Sequence, residues 1–267
     1  EVKGDVAVGM TIEVTGDISI RGAVERARIK AGQSIRVSGG ILGGESVEAI
    51  DEKNLEYTLE AGADIEANFV NLSTLKAHNN IVVKEYILNS YVKAGHELLL
   101  GQPNGKGVLV GGKSEAGHRA LIKQVGNESY MPTRLTVGHL SKLYAEYQNL
   151  TKELTVRMNE KEQLQKILEK VEQSQSVVLG RMPVDKTTKI ENTIQVINEK
   201  MSRIQQQLLA LEPEIALQKK ATITVMRTIY PNVVLTINGT TKRFPTQTSG
   251  KRWMQSGDEL VEQKTKE

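Results

Sequence analysis

Ile29–Val37 reads IKAGQSIRV, and the same phrase returns at Leu59–Ala67 (LEAGADIEA), Leu75–Val83 (LKAHNNIVV) and Val92–Leu100 (VKAGHELLL). Weaker copies precede and follow it, VAVGMTIEV at Val6–Val14 and SEAGHRALI at Ser114–Ile122. Within a copy the order is apolar, charged, small, turn-forming, then apolar at alternate positions. That order points one side chain inward and the next into solvent, turns a corner at the glycine, and resumes as a strand. The glycine is expected to supply the positive backbone angles of a tight bend.

Working outward, the aliphatic residues keep a beat of five or six. Ile12, Ile18, Val24, Ile29, Ile35 and Ile41 form one series, and Ile65, Val70, Leu75, Ile81, Ile87, Val92 and Leu98 a second. Every third member returns after 16 or 17 residues. A helical face repeats about every 3.6 residues and a strand face about every 2, so this longer period describes a coil of strands. The fold predicted is mainly β with an α insertion: a three-sided parallel β-helix, read as right-handed. Its rungs stack about 4.8 Å apart and touch only their neighbours. Ile35, Ile81 and Leu98 occupy equivalent places and are predicted to stack on one buried interior column.

Composition agrees. The 267 residues include 23 Gly and only 10 aromatics (Trp 1, Tyr 7, Phe 2), which suits a thin aliphatic interior with many corners. A net charge of +3 with both signs intermixed gives no concentrated basic face, so a nucleic-acid platform is not expected. No apolar stretch approaches the roughly 18 residues of a membrane span. With zero cysteines there are no disulfides or thiolate metal sites, and no cofactor is expected. The chain opens at Glu1 in strand pattern without an initiating methionine, and it reads as a fragment of a longer protein.

Composition changes at Gly138. From Leu140 to about Val178 glycine and proline vanish and Glu, Lys, Gln and Leu fill the chain, as in a helix. Leu140, Leu143, Tyr147, Leu150, Leu154, Leu164, Leu168, Val171 and Val178 take heptad positions, with Arg157, Lys161 and Gln175 interrupting the seam. After the break at Gly180 and Pro183 a second helix, started by Asp185 or by the Thr188–Glu191 capping pattern, runs Ile190, Ile194, Ile197, Met201, Ile204, Leu208, Leu211 and Ile215. Two such helices are expected to fold back as an antiparallel coiled-coil hairpin projecting about 55 to 60 Å, with a kink at Pro213. The competing reading lays the pair flat on the sheet. Strand pattern returns at Ala221. The expected divisions are therefore residues 1–138 β-helix, 139–219 hairpin insertion, 220–244 closing strands and 245–267 a polar tail.

Two places carry partner-binding expectations. At the hairpin's far end Val178, Leu179, Arg181 and Met182, with Val177 and Val184, gather apolar surface that no second helix is left to cover; closing the hairpin on itself is the other reading. In the tail, Trp253 either caps the last rung or anchors a partner.

ISIRG (Ile18–Gly22), IRVSGGILGG (Ile35–Gly44), the paired phrases FVNLSTLKAH and YILNSYVKAG, VLVGGKSEAG (Val108–Gly117), the charged hairpin and the closing TIYPNVVLTING (Thr228–Gly239) together resemble the flagellar assembly protein A family of bacteria. The likeness spans Val6 to Phe244, and the order of sheet, hairpin and closing segment is its specific part. The resemblance implies a cytoplasmic, non-enzymatic scaffold for flagellar assembly or its placement at the cell pole. It also implies protein partners there, the glucose-specific IIA component of the sugar phosphotransferase system among them. Homo-oligomerisation stays open.

The alternative is a β-helix enzyme of the acyltransferase or carbohydrate-active type. His96 and His118 fall at the same place in two copies, with His78 one place earlier in its own. No carboxylate is expected at a matching corner to orient them, and Asp51, Glu52 and Asp64 are too scattered to nominate a pair. Gly39, Gly40, Gly43 and Gly44 lack the Lys-Ser or Lys-Thr of a nucleotide loop and are assigned to corner geometry.

Overall fold

The computed structural model describes residues 1–44, 58–175 and 184–263, the side chains at 141, 172–175 and 184–186 excepted. The chain divides into two compact units, one made of Glu1–His139 with Leu217–Glu267 and the other of Leu140–Ala216.

In the first unit parallel strands sort into three ladders. The first joins β1 (Thr11–Val14), β4 (Arg28–Ala31), β6 (Leu59–Ala61), β8 (Thr74–Ala77), the end of β9 (Ile81–Ala94), the end of β11 (Val108–Ala116), β13 (Thr133–Val137) and β15 (Val233–Ile237). The second joins β2 (Ile18–Ile20), β5 (Ile35–Leu42), β7 (Ile65–Asn71), the start of β9, β10 (Glu97–Leu100), β12 (Arg119–Val125) and β14 (Thr222–Ile229). The third begins at β3 (Val24–Glu25) and uses the remaining halves of the long strands.

The expected column is there. Ile35 pairs with Ile65, Ile65 with Ile81 and Ile81 with Leu98, and all four are fully buried. The other ladders supply columns of the same kind, such as Leu59, Leu75 and Val92, or Val24, Ile41, Val70 and Ile87.

The corner glycines act differently from the sequence expectation. Gly32, Gly62, Gly95 and Gly117 do not have positive φ; an added Cβ would fall 2.2, 2.1, 1.7 and 1.8 Å, respectively, from a carbonyl oxygen of the rung beneath. They are glycines because consecutive corners pack backbone on backbone. Left-handed angles recur where the chain leaves the third ladder for the first, at Gly9, Arg26, Leu72, Asn89, Gly111 and Asn232, and Gly138 at the corner before the helices also takes one. There Ser73, Ser90 and Thr133 hydroxyls donate to the carbonyl two residues back and hold the turn.

Past β15 the direction reverses. β16 (Thr240–Phe244) runs antiparallel to β15, β17 (Thr248–Ser249) and β18 (Arg252–Ser256) antiparallel to β14, and β19 (Glu259–Gln263) antiparallel to β18. Phe244, Trp253 and Leu260 from these strands join the buried core. Residues 245–263 are thus strands covering an edge that would otherwise stay unpaired.

The second unit is a helical pair. α1 (Leu140–Gln175) and α2 (Val184–Gln218) contain 36 and 35 residues. In α1 the protected positions are Leu140, Leu143, Tyr147, Leu150, Leu154, Arg157, Lys161, Leu164, Leu168 and Val171, an unbroken alternation of three and four with Glu160 protected beside it. Arg157 and Lys161 therefore stay in the stripe rather than interrupt it. In α2 the stripe runs from Ile190 to Ile215 as expected, with Ile197 and Ile204 buried. α2 continues through Pro213 rather than ending there. Leu209, whose carbonyl the proline leaves without its helical donor, is 65% exposed and turned to solvent.

Candidate interaction surfaces

Parallel pairing of β10 with β12 sets Glu97 opposite Arg119. Arg119 Nη2 donates to Glu97 Oε2 at 2.6 Å, and His118 Nε2 lies 3.3 Å from Oε1 of the same carboxylate. The His96 and His118 rings are 5.8 Å apart. The corner thus does hold a carboxylate for the stacked histidines, contrary to the sequence expectation. The register across this long rung has no repeat spacing to reveal it. Among the described residues no group of three His, Asp or Glu side chains is placed to hold a metal ion.

On the outward side of the third ladder Phe69 and Tyr86 stack with centroids 5.1 Å apart. Phe69 lies across Gly40, where a Cβ would come within 2.0 Å of its ring. That close approach accounts for one of the clustered glycines.

The residues expected to bind partners fare unequally. Val178, Leu179, Arg181 and Met182 lie outside the described residues. Trp253 is 1% exposed, packed edge-on against Phe244 at 5.6 Å beneath the Lys242 ammonium at 4.5 Å. Its ring belongs to the interior of the cap, so it corrects the partner-anchor reading: a buried indole is not presented to a partner.

A surface the sequence did not flag lies at the capped end. A groove of about 710 Å³ is lined by Tyr130, Pro231, Val234, Arg243, Phe244 and Pro245, among others. Tyr130 is 56% exposed and holds φ at 54°, the left-handed region that a bulky side chain rarely takes. Three hydrogen bonds fix this turn: Tyr130 N–H to the Asn127 carbonyl (3.1 Å), Met131 N–H to Asn127 Oδ1 (3.2 Å) and Asn232 Nδ2–H to the Tyr130 carbonyl (2.9 Å). Arg134, Val234 and Arg243 are successive cross-strand neighbours on the outward face of the first ladder. Because Arg134 and Val234 are separated by the whole helical insertion, no sequence pattern places them together.

Stacked parallel ladders, an antiparallel cap and an interposed helical pair define a β-solenoid protein. The family model for the flagellar assembly protein A beta solenoid domain matches residues 1–260, and the chain belongs to that family. No curated protein and no solved structure matches it. Among the described residues no helix is long and apolar enough to cross a membrane.

Proposed function

We propose that this chain is a non-enzymatic scaffold in bacterial flagellar assembly, acting in the cytoplasm and at the cell pole. The observation that carries the reading is the family match over residues 1–260. In this reading the three ladders form the sides of a right-handed three-sided coil, the hand that parallel crossovers favour, and the helical pair is an antiparallel coiled-coil arm. Buried aliphatic columns make the solenoid stiff, and the unbroken stripe on both helices suits a long arm. Protein partners at the pole, including the glucose-specific IIA component, engage these surfaces.

The test is made in a flagellated bacterium carrying the gene. Loss of the whole protein, and separately loss of Leu140–Ala216 alone, should each reduce the number of flagellated cells, with the shortened protein still present at normal level. Normal flagellation without the whole protein would overturn the reading.

A further inference from the structure

Arg134 and Arg243 are both exposed, and neither has a hydrogen-bond or ion-pair partner among the described residues. They bracket Val234 in one outward register, so the two guanidiniums arise two ladder steps apart, about 10 Å. The next cation along the register, Lys113, is already neutralised by Glu115 at 2.9 Å. Two free arginines with an aliphatic residue between them therefore adjoin the groove. Along that groove stand an exposed tyrosine, two prolines and the edge of Phe244. Asn127 and Asn232 hold the turn presenting Tyr130 in an unfavourable conformation, and its exposed ring lines the same groove as Arg243.

We propose that this end of the first ladder binds an extended acidic peptide segment of a partner protein, with an apolar residue between two carboxylates. Arginine forks match carboxylates in paired hydrogen bonds, and the aromatic and proline wall takes the apolar residue. A segment in the extended polyproline II form rises about 3.1 Å per residue with three residues per turn, so acids three positions apart face the same side and span the separation of Arg134 and Arg243. A nucleic acid fits less well. Two free cations divided by a valine neutralise few phosphates, whereas tight nucleic-acid binding uses a continuous basic track. The proposal rests on the scaffold reading and names one of its surfaces.

The probe is an immobilised set of nine-residue peptides with Asp or Glu at two positions three apart and Phe, Leu or Pro between them. A matched set carries Asn or Gln in place of the acids. The purified 267-residue chain should be retained by the acidic set and not by the amide set. In fluorescence anisotropy with the best peptide, the double variant Arg134→Glu, Arg243→Glu should lose at least about tenfold in affinity. Tyr130→Ala should weaken binding to a lesser degree, and added salt should weaken it further. If the charge reversals alter thermal unfolding, Arg134→Gln with Arg243→Gln supplies the same comparison. Equal retention of the amide set would overturn the proposal, as would unchanged affinity in both double variants. So would binding through these arginines only to phosphatidylglycerol vesicles or to a single-stranded oligonucleotide. Failure here leaves flagellation in the cell untouched as a readout, so the two ideas fall separately.

Discussion

Ser114 occupies a place that belongs to an aliphatic residue. It stands in the interior column between Val92 and Leu135, is fully buried, and its hydroxyl has no hydrogen-bond partner among the described residues. A hydroxyl stripped of water without a partner is destabilising. Ser114→Ala removes the hydroxyl and keeps nearly the same volume, so it should stabilise the protein by about 1 kcal/mol in urea unfolding. A clear loss of stability would show that the oxygen is paired after all. The neighbouring positions show what sequence can and cannot convey at this scale. Ile35, Ile81 and Leu98 were legible because an inward aliphatic at a fixed beat is a pattern of residue type alone. The corner glycines were seen but misassigned: sequence reports that Cβ is absent, and only the rung beneath shows that a carbonyl stands in its place.

At the scale of elements, register between strands creates side-chain ladders that no strand specifies by itself. Before the second ladder Asp17, Ser34, Asp64 and Asn80 each accept a backbone N–H from the next rung: Ser34, Asp64, Asn80 and Glu97. On the outward face, β5 and β7 bring Arg36 and Glu66 into a two-bond pair at 2.8 and 3.0 Å. The Arg36 hydrogen bond is the main cause that lowers the Glu66 carboxyl below its ordinary 4.5, with the guanidinium charge adding and partial burial opposing. A carboxyl lowered on folding stabilises above its unfolded value and loses that contribution as pH falls through its folded value. Arg36→Ala should therefore lower the unfolding temperature at pH 7. The gap to the unsubstituted protein should shrink as pH drops below about 4.5. Both side chains are substantially exposed, so the effect is small. A gap that stays constant down to pH 3 would show that Arg36 acts by packing. The helices make a parallel point. Arg157, hydrogen-bonded to Glu160 at 2.8 Å, and Lys161 hold stripe positions, and a reading by hydrophobicity passes over them although their stems share the protected face.

At the scale of the molecule, a polar group ties together the two chain crossings where the helical insertion leaves and re-enters the solenoid. Gly138, at φ 84°, leaves space that a Cβ would take only 2.1 Å from Asn238 Oδ1. Gln218, 1% exposed, accepts the His139 N–H through its side-chain oxygen (3.2 Å), and its carbonyl accepts Asn238 Nδ2–H (2.8 Å). The sequence showed that strands resume at Ala221 but not that Gln218, written as the end of a helix, completes the solenoid. A polar residue closing a helix looks the same whether it is solvated or buried. The boundary consequently matters to the residue. Replacing Leu140–Ala216 with a short glycine-serine link should leave a cooperatively unfolding sheet protein that has lost its helical circular dichroism. Extending the deletion through Gln218 removes its two acceptors from the half-buried His139 N–H and the buried Asn238 amide, at a cost of about 1 to 3 kcal/mol. The longer deletion should unfold at lower denaturant with the same slope. Equal midpoints for the two deletions would show that the crossing needs no polar tie, and loss of cooperative unfolding in the shorter one would mean that the helices belong to the solenoid's folding unit.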